Sequence, residues 1–219
     1  MKSIFNMKTK TLISAFIFMS AISFSQNKKY IASMKKYITL FDSAKTGPEL
    51  VAAAKCFEKM AATETKEWLP NYYAGLCYVF IAFEKDEREI DTYADKAEKY
   101  IDKADSLSKN NAEIYVLKSM CSTSRIMVDP MSRGFGFGKM AYDFSQTAMT
   151  LDPTNPRPFA NKGQGTFYAP ESFGGGPAKA KPHLEKAAAL YKTFKPQSEI
   201  HPNWGKKMCD DLLKKCNEN

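Results

Sequence analysis

Two glycine-rich segments and four arginines are the residues of this sequence whose types and spacing could do chemistry. Arg133-Gly-Phe-Gly-Phe-Gly-Lys139 has the glycines and terminal lysine of a phosphate cradle. A P-loop needs Gly-x4-Gly-Lys followed by Ser or Thr, between a strand and a helix. Here Arg stands at 133, Met140 follows the lysine and no strand pattern precedes, so nucleotide binding is not expected. The segment reads as an aromatic loop folded over a hairpin tip, with ligand contact as the sharper alternative. Pro170-Glu-Ser-Phe-Gly-Gly-Gly-Pro177 is the second segment. The N–H groups of Gly174, Gly175 and Gly176 could form an anion nest before the next helix. The plainer and preferred reading is a tight turn ahead of Pro177, a residue suited to a first helical turn.

Arg133 and Arg157 stand out because the chain otherwise uses lysine; Arg88 and Arg125 are the other two arginines. Arginine in place of lysine points to bidentate pairing with a carboxylate or carbonyl. Asp129 or Asp152 are the expected intramolecular partners, and capture of a ligand carboxylate is the alternative. His183 and His201 have no evident Ser or Cys partner, and no Gly-x-Ser-x-Gly, His-Glu-x-x-His or Cys-x-x-Cys occurs. Neither catalysis, a metal site nor a cofactor is expected. Cys56, Cys77, Cys121, Cys209 and Cys216 are odd in number, so an oxidising compartment would leave at least one thiol unbridged. Cys209 and Cys216 lie seven apart on one predicted helix and cannot reach each other. Cys56 and Cys77 fall on neighbouring helices, which leaves a bridge open; buried free thiols are the expectation.

The first 25 residues read as an address. Lys2, Lys8 and Lys10 precede an 11-residue apolar run, Leu12 to Ile22, and Ser23-Phe24-Ser25 offers small residues at a peptidase site. Those are the parts of a secretory signal. The run is about half of the roughly 20 residues a membrane span needs, so no anchor is expected after cleavage. No cysteine follows the run before Cys56, which disfavours lipidation. The expected domains are a cleaved signal at 1–25 and a domain at 26–219, placed in the periplasm or outside the cell. Cleavage removes three of the 32 basic residues and no acid, lowering the net charge from +8 to +5. Pairs such as Lys35-Lys36 and Lys214-Lys215 read as solvated helix faces, and no nucleic-acid partner is expected.

The elements that must position these residues repeat. Small residues recur seven apart at Ala97 and Ala104, Ala141 and Ala148, and Ala180 and Ala187, with Ile101 and Leu184 midway in the first and last. Ala53, Phe57 and Met60 form a looser copy. Each such helix is preceded by another amphipathic stretch, two of which carry a glycine, Gly75 or Gly163, that admits close helix approach. The unit is a helix hairpin stacked on its neighbours, with units at about 28–65, 66–110, 111–155 and 156–195. Residues beyond the usual length are placed between the helices at 84–91, 129–138 and 169–178. Asn203 is the expected N-cap of a closing helix over 203–216, whose Trp204, Met208, Leu212 and Cys216 make an apolar stripe.

Gly75 and Tyr78, the alanine pairs, and Pro153 five residues after Ala148 resemble the tetratricopeptide repeat, in degenerate form, over about residues 28–195. The chain as a whole is similar to secreted members of that family from Gram-negative envelopes. The resemblance implies an all-α solenoid of about four hairpins with a C-terminal capping helix. It also implies an inner groove lined by Tyr72, Leu76, Val79 and Phe80, by Val116, Met120 and Thr123, and by Gln164, Phe167 and Tyr168. Tyr72 and Leu76 replace the Lys/Asn clamp of chaperone-tail-binding members, so a carboxylate-terminal peptide does not fit. An apolar groove suits a helix or an extended hydrophobic segment. The expected function is a non-catalytic protein-binding scaffold in envelope assembly or transport. The alternative is a small-molecule-binding accessory of a periplasmic uptake system, suggested by the glycine-rich loop and the aromatic groove.

Overall fold

The computed structural model describes residues 28–218. The expected signal segment lies outside the described residues. The fold is all-α: α1 (28–43), α2 (Gly47–Thr63), α3 (Trp68–Glu84), α4 (Glu87–Leu107), α5 (Ala112–Ile126), α6 (Pro130–Leu151), α7 (Pro156–Tyr168), α8 (Pro177–Tyr191) and α9 (Lys206–Glu218). Successive helices pair as hairpins, α3 with α4, α5 with α6 and α7 with α8, and α9 closes the stack against α8 and α7. It is a helical repeat solenoid with a C-terminal cap.

Local signals explain the helix starts. Thr46 and Glu49 form a reciprocal capping box at α2. Asp86, Asn111, Asp129 and Asn155 each accept a backbone N–H in the first turn of α4, α5, α6 and α7. The alanine spacing explains the packing. A Cβ on Gly75 would stand 2.9 Å from Ile101, and one on Gly163 would stand 2.7 Å from Leu184. Each glycine thus faces the residue midway between the alanines of its partner helix. In the third unit the corresponding pair is Ser119 and Ser145, 44 residues from Gly75 and Ile101. Ser119 donates to the Ala141 carbonyl at 2.8 Å, whereas the buried Ser145 hydroxyl has no partner. Only Ser145 and Ala148 of the 22 residues of α6 are buried. Two apolar cores flank this thinly packed helix. One is built mainly from α1 to α5, the other from α7 to α9.

Three boundaries differ from expectation. Residues 129–138 are not a loop, because α6 begins at Pro130 with Asp129 as its cap. The glycine-rich run is held helical from outside: Arg133 pairs with Asp91 at 2.8 Å, and Phe137 lies beneath both Arg125 and Arg133. Only Lys85 and Asp86 separate α3 from α4, so 84–91 is not an insertion either. The closing helix starts at Lys206, not at Asn203, because Gly205 turns the chain at φ +95° and leaves Trp204 aimed into the body of the protein. Of the connection expected at 169–178, residues 169–176 lie outside the long helices, with a 3-10 turn at Glu171–Phe173, and α8 begins at Pro177. All five cysteines are free thiols. Burial pushes the Cys121 and Cys209 thiols up to about 11.

Candidate functional site

The inner surface is already covered. After α8 the chain runs back across the first helices as a strap, residues 192–205. Tyr73 donates to the Ile200 carbonyl at 3.3 Å, and the Trp204 indole N–H donates to the Tyr72 hydroxyl at 2.9 Å. Trp204 packs edge-on against Phe80, with ring centroids 5.9 Å apart. Tyr72, Leu76, Val79, Val116 and Met120 are buried, and Phe80 is half-buried. These positions, expected to line an open groove, belong to the core, and the strap packs on it at Tyr72, Tyr73 and Phe80. Gln164 and Phe167 are half-buried on α7, and Tyr168 at its end is exposed.

The arginine partners also differ. Arg157 is only 1% exposed, and its Nε donates to Glu113 Oε2 at 2.7 Å while its NH2 pairs with Glu113 Oε1. Asp152 instead serves its own turn, accepting from the Thr154 N–H and hydroxyl. Glu113 further accepts from Asn155 at 2.6 Å and Tyr72 at 3.4 Å. Glu113 and Arg157 are equivalent positions one repeat apart, each two residues past an Asn cap. Burial pulls the Arg157 pKa down, but the adjacent Glu113 carboxylate outweighs it and holds the guanidinium above its ordinary value. Burial, reinforced by Glu113, drives the Tyr72 phenol well above its usual range. Arg133 pairs with Asp91, not Asp129, and Arg125 gathers Asp91, Asp95 and Glu98 at 3.2, 2.7 and 2.8 Å. Both arginines brace α5 and α6 onto α4.

The glycine loop is a turn. The N–H groups of Gly174, Gly175 and Gly176 donate to the carbonyls of Glu171, Pro170 and Thr166 at 2.9, 3.0 and 2.9 Å. None remains for an anion nest. Gly174 and Gly176 adopt positive φ, and a Cβ on Gly175 would stand 2.1 Å from the Ala169 carbonyl oxygen.

Two surfaces remain that can meet a ligand. One is a cleft of about 660 Å³ enclosed by the starts of α3, α5 and α7 and by the strap. Trp68, Glu113, Arg157, Phe194 and His201 are among its walls. The other is an apolar shelf on α6. With 3.6 residues per turn, Met131, Phe135 and Tyr142 fall within about 40° of one another around the helix. Of the nine large apolar side chains exposed among the described residues, eight lie between 127 and 173, and Phe135 is 88% exposed. The shelf exists because α6 has 22 residues and its neighbour α7 only 13. The two run antiparallel through a short connection, with Lys162 of α7 over the Tyr142 ring. The start of α6 therefore projects past the end of α7, where Tyr168 and Phe173 are exposed. Sequence reasoning named Tyr168 and, in the aromatic segment 133–139, the run that holds Phe135, but it missed Met131 and Tyr142 and the helix face that joins the three on α6. Among the described residues no cluster of His, Cys, Asp and Glu is placed to hold a metal ion, and no helix is long and apolar enough to cross a membrane.

The chain matches no protein-family model and no curated protein. Among solved structures it is similar to the HusA haemophore from Porphyromonas gingivalis, with 31% sequence identity and a TM-score of 0.78. The similarity covers 86% of this chain and 93% of that one. That relative is a haemophore, and its fold follows the same path. With that identity sustained over nearly the whole of the relative, the chain belongs to the family of the HusA haemophore.

Proposed function

We propose that this protein is an exported, non-catalytic carrier that captures a flat, apolar small molecule of the haem class on the α6 shelf. Its hairpins are degenerate tetratricopeptide repeats, and residues 1–25 are its export signal. The observation that carries the reading is the concentration of exposed Met, Phe and Tyr side chains on α6 and the end of α7. Contiguous exposed apolar surface is uncommon on soluble proteins and marks interaction sites. A porphyrin presents two apolar faces that stack on aromatic rings, and Met thioether and Tyr phenol groups are among those that ligate haem iron. Membership of a haemophore's family supports this ligand class over a protein partner. Tyr72, Leu76, Val79, Val116 and Met120, on which a scaffold would dock its partner, are buried, which further weakens the scaffold reading.

Titration of the mature protein with haemin, followed by the Soret absorbance, tests the proposal, with iron-free protoporphyrin in parallel. Saturable binding is expected. Replacing Met131, Phe135 and Tyr168 together with Ser should weaken it by about tenfold or more, since each buried apolar side chain contributes about 1.5–3 kcal/mol. Absence of binding would overturn the ligand class. Undiminished binding by the triple variant would overturn the site.

A further inference from the structure

We propose that the cleft between the starts of α3, α5 and α7 is a second binding site, one that takes a small organic carboxylate with a flat apolar body. It is separate from the haem-class reading. The cleft lies at the C-terminal end of α6, and the shelf starts at the N-terminal end, about 30 Å away at 1.5 Å per residue. No porphyrin spans that distance.

The charges at the cleft are used unequally. Both acidic groups in its wall are engaged within the protein. Glu113 receives Arg157, Asn155 and Tyr72, and Asp152 receives Thr154. Arg157 is matched only in part. Arg157 gives Nε and NH2 to Glu113, which leaves NH1 on the opposite edge of the guanidinium, and that buried nitrogen has no partner. A buried donor without a partner costs stability, and such a group is commonly answered by an acceptor from a water or a ligand. Lys109 and Lys195 stand in the same wall, both exposed, with Lys109 also pairing with Asp105 at 3.3 Å outside the cleft wall. Three helices begin here, and helix N-termini favour negative charge.

The shape selects the rest of the ligand. Phe194 covers the guanidinium, with the Arg157 carbon 4.5 Å from the ring centroid, and Trp68 borders the same cleft beside His201. A carboxylate can meet the Arg157 edge and the lysines while an apolar plane lies between the two aromatic side chains. The cleft volume is within the range of small-molecule sites.

Trp68 and Trp204 are the two tryptophans of the chain, one in the cleft wall and the other in the strap 5.9 Å from the Arg157 guanidinium. Their fluorescence therefore reports on this site. Benzoate is the probe, with benzyl alcohol as its neutral counterpart and inorganic phosphate as an anion lacking the ring. Saturable quenching by benzoate is expected, with neither control matching it. A Lys109→Ala, Lys195→Ala double variant should weaken benzoate by about tenfold with its unfolding midpoint unchanged. These exposed lysines are chosen because truncating Arg157 would strand Glu113. Phe135→Ser should leave benzoate binding intact. No saturable response to benzoate, an equal response to benzyl alcohol or phosphate, indifference to the double variant, or loss of binding in Phe135→Ser would each overturn the proposal.

Discussion

The two ends of α6 are built on opposite principles. Near its C-terminal end, α5 and α7 enclose a polar cleft floored by a buried ion pair, where Glu113 takes Arg157 and Asn155 from the next repeat. At its N-terminal end the helix is braced on one side by Arg133 and Phe137 and on the other shows aromatic and thioether side chains to solvent. The first arrangement holds the hairpins in register through contacts more than 40 residues apart in sequence. The exposed face of the second contributes little to holding the fold together. Surface that a ligand is to cover can be left uncovered only where the fold does not depend on it.

The largest test of this contrast is Glu113→Ala. It leaves the Arg157 guanidinium charged and buried, which costs about 3–5 kcal/mol. Phe135→Ser, on the shelf, should change stability by less than about 0.5 kcal/mol. Urea unfolding of the two variants measures both, and comparable losses would erase the distinction.

Glycines sharpen it at the next level. Gly163→Ala forces a methyl group to within 2.7 Å of Leu184 and should cost about 1–3 kcal/mol through overpacking. Gly134 and Gly136 lie in α6 with nothing within 4 Å of a new Cβ. Replacing either with Ala should stabilise the protein by about 0.4–1 kcal/mol by restricting the unfolded chain. Thermal melts of the three single variants give the sign directly. A destabilised Gly134→Ala would mean that the shelf is more tightly packed than its exposure indicates.

The smallest effect concerns pH at the cleft. Burial lowers the pKa of His201 below its ordinary 6.5, with Glu113 opposing the shift. A group whose charged form is disfavoured in the folded state binds its proton first when unfolded. Its stabilisation is therefore complete above pH 6.5 and declines as the pH falls from there through the lowered folded value. His183 shifts in the same direction and should act likewise. His201→Gln should flatten the decline partly, seen as unfolding midpoints of the two proteins that converge on acidification. Parallel curves would show that the strap histidine does not titrate differently on folding.

The repeat was legible because it is local. Ala97, Ile101 and Ala104 lie on one helix face by spacing alone, and Gly75 and Gly163 announce the close approach that the structure shows. The site was much less legible. Tyr72, Leu76 and Val79 have the composition of an apolar groove, but composition cannot distinguish a groove from a core. What decides is whether another segment covers them, and Trp204 does so from 132 residues away. Arg157 signalled a bidentate partner, yet sequence proximity pointed to Asp152 when the partner was Glu113. The glycines at 134, 136 and 138 argued for a loop, and long-range pairing of Arg133 with Asp91 made them helical.

The sequence by itself determined the helical repeat and the absence of familiar catalytic motifs, because each depends on residues within a few turns of one another. The tertiary structure alone decided which apolar residues are covered and which are shown. That outcome depends on the path of the 192–205 strap and on the unequal lengths of α6 and α7. Both are settled by the competition of long-range contacts, which no local period encodes.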